Sequence, residues 1–223
     1  MKHLLYLFML CSTIFYAQDR TQNLGDFNEL KIFNGLSVDI EKSDKASIEI
    51  SGVKTNNVIV KNVNGILKLS LKFPESFNPD KVKVKVYYNQ DLEILDANEG
   101  AAIFSEDPIK QESLTVKTQE GAYIRMSIEV KYLSVKAVTG GSIKLTGNTV
   151  NQDVDVTTGG VYEAYDLISE DTDIIAASGA NAQVNVSNQL EAKVRFGGRI
   201  YYKGNPEKVS TRKVMGGIII NKG

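Results

Sequence analysis

Three acids of this 223-residue sequence recur at one place in a repeating pattern: Asp153, Asp173 and Glu191 each stand six residues before a glycine, at Gly159, Gly179 and Gly197. Asp155 lies two residues beyond Asp153. If the repeats stack as parallel strands, these carboxylates line up at about 4.8 Å. Stacked like charges cost stability unless cations offset them. Lys117, Lys136, Lys193 and Arg212 occupy the next outward column and would make a solvated, salt-bridged ladder. A bound cation on Asp153, Asp155, Asp173 and Glu191 is the alternative, since Ca²⁺ prefers carboxylate oxygens. Two carboxylates near 5 Å apart also suit a retaining glycosidase. No conspicuous aromatic cleft accompanies the acids in the columns, so no catalytic residue is assigned. The nearby acids Glu163, Asp166, Glu170 and Asp171 read as the solvated surface of a loop between coils. Tyr123, Tyr165 and Tyr201 fall at outward positions and Tyr132 at a coil junction; exposed aromatic faces of this kind stack on sugars or proteins. They do not share one column. Tyr162 and Tyr202 fall inward and read as core.

Much other chemistry is excluded by what is scarce. The chain has one Cys, one His and no Trp, and both Cys11 and His3 lie in the first seventeen residues. That stretch has a short basic start at Lys2, an apolar run from Leu4 to Phe15, and Ala17 before Gln18-Asp19-Arg20. It reads as a signal peptide, residues 1–17, cleaved after Ala17. Lipidation of Cys11 is disfavoured by the preceding Leu10, where a small residue is wanted. A finished protein without Cys or His has no thiol nucleophile, no catalytic imidazole, no disulfide and no Cys/His metal site, and no cofactor is expected. Cleavage takes one cation and no acid from a net charge of −1 and leaves −2. That balance gives no reason to expect nucleic acid or anionic lipid as a partner. No later segment is apolar enough to span a bilayer.

The elements that must position these groups come from an internal repeat. Beyond Asp91, glycine turns begin at Gly100, Gly121, Gly140, Gly159, Gly179, Gly197 and Gly216, separated by 21, 19, 19, 20, 18 and 19 residues. A period near 19 over seven copies indicates a solenoid. Aligned on that glycine, apolar residues fall at odd offsets: Leu114, Leu133, Leu190 and Val209 seven before it, and Val116, Val135, Val154 and Ile174 five before it. Ile103, Ile124, Ile143, Tyr162, Ala182, Ile200 and Ile219 stand three after it. Alternation with period two is a strand signature. Each copy therefore reads as strand, glycine turn, strand, second turn, stacked on its predecessor. The predicted fold is all-β: a right-handed parallel β-helix-like solenoid with ~19-residue coils. Residues 91–223 form the regular coils, and residues 18–90 an irregular strand-rich N-terminal layer.

Within that layer, Asn64-Gly65 separates two short apolar runs as a hairpin turn would. Val82, Val84 and Val86 alternate with lysines from Lys81 onward, which read as a solvated face or the guard of an edge strand. Phe73-Pro74 to Asn78-Pro79 reads as the longest loop. At the other end, Ile218, Ile219 and Ile220 are followed by only three residues, so the last coil needs a cover: a second copy through coil ends, or the N-terminal layer.

Taken together, the chain resembles the head GIN domain family, described as putative autotransporter adhesin heads and widespread in exported proteins of Bacteroidetes. The resemblance rests on Phe33-Asn34-Gly35-Leu36-Ser37-Val38-Asp39-Ile40, on Asn64-Gly65-Ile66-Leu67 and on the recurrent Ser/Thr-Gly-Gly/Ala turns. Its most specific part is Ile200-Tyr201-Tyr202-Lys203-Gly204-Asn205-Pro206 followed by Gly216-Gly217-Ile218. It implies a β-helix-like fold in the cell envelope and supplies no catalytic residues to carry over. Every strand-like segment is used by the coils, so no membrane barrel is expected. The expected address is periplasmic, or the cell surface with an anchor or partner. The expected function is a non-enzymatic adhesion, binding or envelope-scaffold module for an envelope or cell-surface glycan or protein. Its competitors are a carbohydrate-active enzyme using the stacked acids and a purely structural oligomer.

Overall fold

The computed structural model describes residues 19–53, 55–72 and 82–223. The signal peptide reading, with Cys11 and the cleavage after Ala17, lies outside the described residues, as do the loop over 73–79 and Lys81. Among the described residues seventeen strands form one continuous ladder: β1 (Arg20–Asn23), β2 (Glu29–Ile32), β3 (Ser37–Lys42), β4 (Ser47–Gly52), β5 (Val58–Val63), β6 (Ile66–Leu71), β7 (Val82–Tyr88), β8 (Ile94–Ala97) and β9 (Ala102–Ser105) come first. The regular coils follow as β10 (Ile109–Thr118), β11 (Tyr123–Ala137), β12 (Ser142–Val156), β13 (Val161–Ala177), β14 (Asn181–Arg195), β15 (Arg199–Lys203), β16 (Lys208–Val214) and β17 (Ile218–Asn221).

Like residues stack on like, as the repeat requires. Ile124 pairs with Ile103 and Ile143, Ile143 with Tyr162, and Val135 with Val116 and Val154, all in parallel. These inward columns are buried as one core running from Leu24 to Ile200. Each large apolar side chain in it contributes about 1.5–3 kcal/mol by leaving water.

In the middle of the stack each coil has one turn rather than two, while short breaks between β9 and β10 and between β15 and β16 keep a second turn. Strands β11 to β14 run unbroken from one glycine turn to the next, and the expected second turn is a bend inside them. In β11 the bend falls where Lys131 and Tyr132 are exposed in succession between buried Val130 and Leu133, which shifts the alternation by one residue. Glu163, Asp166, Glu170 and Asp171 accordingly lie on strand β13 and not on a loop. At the glycine turn two consecutive residues take positive φ, as at Thr158 (51°) and Gly159 (71°), and Gly160 N–H closes the turn on Thr157 O at 2.9 Å. That is the pattern of a type I′ turn. A bond from Gly159 N–H to Ser178 O, 3.1 Å, ties it to the next turn.

The N-terminal layer is irregular in order rather than in geometry. The β2–β3 pair is itself a coil, turning at Asn34-Gly35 with both φ positive. It stacks in parallel between β8–β9 on one side and β6–β7 on the other. Asn64-Gly65 is the hairpin turn, with Val63 opposite Ile66. Antiparallel strands then close this end: β5 on β6, and β4 on β7 with β1 outermost. Strand β7 is therefore not an edge, and Lys83 and Lys85 form only a solvated face, with Lys85 Nζ 2.6 Å from Glu41 Oε2. Among the described residues the opposite end has no such cover: β16 pairs only with β14 and β17 only with β15. The N-terminal layer caps the far end of the stack and does not reach it.

Candidate functional site

The strand runs that precede the glycine turns carry the acidic column as the spacing predicts. Ser134, Asp153, Asp173 and Glu191 are direct neighbours in parallel register. One column nearer the bend stand Tyr132, Asn151, Asp171 and Gln189, also in register. Together they line an open groove of about 630 Å³ across β10 to β14. Asn188 donates a hydrogen bond to Asp171 at 2.7 Å, and Gln189 one to Glu191 at 3.2 Å. Lys131 Nζ sits 5.0 Å from the centre of the Tyr132 ring.

The expected salt-bridged ladder is not made. Among the described residues no ion pair within 4.0 Å joins Asp153, Asp173 or Glu191 to Lys117, Lys136, Lys193 or Arg212. No three acids among the described residues are grouped as a metal cage would need. Partial desolvation by its neighbours holds the carboxyl of Asp153 above the usual carboxylate range, and the charges of Asp173 and Asp155 push it further the same way.

A carboxyl raised on folding destabilises its charged form, so its cost is present at neutral pH and is relieved as pH falls through the carboxylate range. Asp153 is exposed, which keeps the effect small. Asp153→Asn should raise Tm by about 1–2 °C at pH 7 and lose that gain near pH 3, read by thermal unfolding across pH. A gain independent of pH would place the effect in packing instead.

Beneath the acids lies a group of polar side chains that the columns passed over. Gln152 and Thr172 point into the core from positions where Leu114, Leu133 and Leu190 stand in other coils. Tyr162 Oη donates to Gln152 Oε1 at 2.9 Å. Gln152 Nε2 donates to Ser169 Oγ at 2.9 Å and to Thr172 Oγ1 at 3.0 Å. Ser169 and Thr172 hydroxyls lie 2.7 Å apart, and Ser169 Oγ donates to Asn185 O at 3.0 Å. With Thr172 donating to Ser169, each of these hydroxyl and amide protons has an acceptor. Tyr162 is core, as its inward column required, and burial raises its hydroxyl pKa far above the ordinary value. The signal was available in the sequence as two polar residues in an otherwise apolar column.

The outward tyrosines divide into three places. Tyr132 joins the acidic groove, so an aromatic ring does stand beside the acids. Tyr165 and Tyr201 come together on the strand runs after the turns, with Lys203 Nζ 4.5 Å from the Tyr165 ring centre and Lys222 Nζ 5.3 Å from that of Tyr201. Tyr123 meets Phe104 edge-on, 5.9 Å between centroids at 62°. Tyr202 packs against the core.

The family described as "putative auto-transporter adhesin, head GIN domain" matches residues 26–206, from just before β2 to just past β15. The chain belongs to this family. Solved structures show the same head GIN fold at low identity. A putative adhesin of Bacteroides fragilis superposes with a TM-score of 0.85 at 20% identity, covering 92% of this chain and 97% of that one. A putative adhesin of Parabacteroides merdae gives 0.70 at 20% identity, covering 92% and 96%. A protein of Parabacteroides distasonis described as a putative lipid binding protein gives 0.70 at 18% identity, with the same coverage. No curated protein matches. Among the described residues of this head GIN domain, no helix is long and apolar enough to cross a membrane.

Proposed function

We propose that this head GIN domain is a non-catalytic binding module of an exported envelope protein and that its ligand is an extended envelope or cell-surface glycan. The observation that carries this reading is the groove over β10 to β14, where Tyr132 lies beside rows of amides and carboxylates repeated coil after coil. A ladder of hydrogen-bonding groups with one fixed spacing suits a polymer that repeats its own hydroxyls, and an aromatic ring at one end gives a sugar a face to stack on. Membership in a family of adhesin heads supports a role in binding.

A cleaving enzyme is the reading that competes at the same residues, favoured by the raised Asp153 carboxyl beside Asp173. An array of glycans and peptidoglycan fragments addresses both. Saturable retention of an oligosaccharide is expected, with Tyr132→Ala and Asp173→Asn each weakening it by about tenfold or more. Retention unchanged in both variants would remove the groove from the function.

A further inference from the structure

A net charge near zero hides a segregation along the solenoid. From Leu145 to Ala192 there are eight acids and no Lys or Arg; from Lys193 to Gly223 there are eight bases and one acid, Glu207. The basic coils also differ at the glycine turn. The residue before the turn glycine has positive φ in every coil, and it is polar at Asn34, Glu99, Glu120, Thr139, Thr158 and Ser178. In the last two it is Phe196 (φ 48°) and Met215 (φ 55°), with relative exposures of 55% and 74%. A bulky side chain in the left-handed region is strained, and here the strain is not offset by burial. Lys193 and Arg212 are neighbours in register just before these turns, while Arg195 and Arg199 flank Phe196. None of these four cations has an ion pair among the described residues.

We propose that this corner docks on an anionic lipid bilayer, with Phe196 and Met215 entering the boundary between headgroups and acyl chains and Lys193, Arg195, Arg199 and Arg212 meeting lipid phosphates. Exposed apolar turn tips and nearby cations that form no ion pair among the described residues, although Lys193 and Arg212 line a pocket with Asp173 and Glu191, are the two components of interfacial membrane binding. A second copy is the poorer occupant, because a symmetric contact would bring like cations together. Strand β16 also carries Lys213 in the inward column filled by Ala137, Val156, Ala176 and Val194 in earlier coils, and an inward charge discourages strand pairing.

Among the described residues every strand and the core lie within residues 20–221, so a chain beginning at Asp19 keeps all of them and omits the apolar stretch from Leu4 to Phe15, which could itself bind lipid. This protein should co-sediment with vesicles of equimolar phosphatidylglycerol and phosphatidylcholine, not with phosphatidylcholine alone, and should release as salt rises. Phe196→Asn combined with Met215→Asn should reduce binding by about tenfold or more. Its Tm should hold or rise, because Asn accepts positive φ and already fills this turn position at Asn34. Arg195→Gln with Arg199→Gln should weaken binding and flatten its salt dependence. Equal binding to both vesicle types, or unchanged binding by the Asn pair, overturns the proposal. So does a dimer in scattering that the Asn pair converts to monomer in a protein that ignores vesicles.

Discussion

Gly160→Ala is expected to destabilise the domain by about 3 kcal/mol or more and to lower Tm by about 10 °C, whereas Gly159→Ala should cost only about 1–2 kcal/mol. The two neighbouring glycines are required for different reasons. A methyl on Gly159 meets nothing within 4 Å, so its cost is the strain of a positive φ of 71°. A methyl on Gly160 would lie 2.2 Å from the carbonyl oxygen of Ala137, the atom that accepts the Thr157 N–H at 3.0 Å in the coil ladder. The clash is with backbone, and relief means separating two stacked coils. At the equivalent positions Ala122 and Ala180 occupy the site of the second glycine and are buried without difficulty, so the demand is local to particular coil pairs. Denaturant unfolding of the two variants settles the order; equal losses would refute close coil approach as the reason for the second glycine.

The second large effect belongs to the polar group under the groove. Gln152→Ala should cost about 3–4 kcal/mol, from the cavity and from buried hydroxyls left with fewer partners. Tyr162→Phe should cost about 1–2 kcal/mol, since it removes one buried bond to Gln152 Oε1. Gln152→Leu restores the side chain used by neighbouring coils but strands the Tyr162 hydroxyl in the core. The double variant with Tyr162→Phe should therefore lose less than the sum of the singles, by about 1 kcal/mol or more. Strict additivity in a double-mutant cycle would mean that the two side chains are not coupled.

The stacking of this solenoid was legible because its strands repeat: a glycine every nineteen residues or so and apolar residues at odd offsets fix which side chains face in and which neighbours meet. The row Asp153, Asp173, Glu191 follows from that register alone. What periodicity does not carry is the path of the chain where coils are used out of order. The turn at Asn34-Gly35 has the same local form as the later turns, but β4 to β7 intervene before the next coil, so spacing gives no sign that β2–β3 lies inside the stack. Nor does it report bends, because the shift at Lys131 and Tyr132 keeps the same register on both sides and needs no turn residue. The groove lies beside that bend: Tyr132 reads as a junction residue in the sequence, and it stands in register with Asn151, one column from the acids.

The groove also frames the choice between holding a glycan and cutting it. The measurement that separates the two most directly is mass spectrometry, over time, of an array-selected oligosaccharide incubated with the wild-type domain and with Asp153→Asn. A binding module returns the oligosaccharide intact from both proteins while retaining it on the array. Cleavage products from the wild type that vanish with Asp153→Asn would make the acids a catalytic pair and contradict the binding reading.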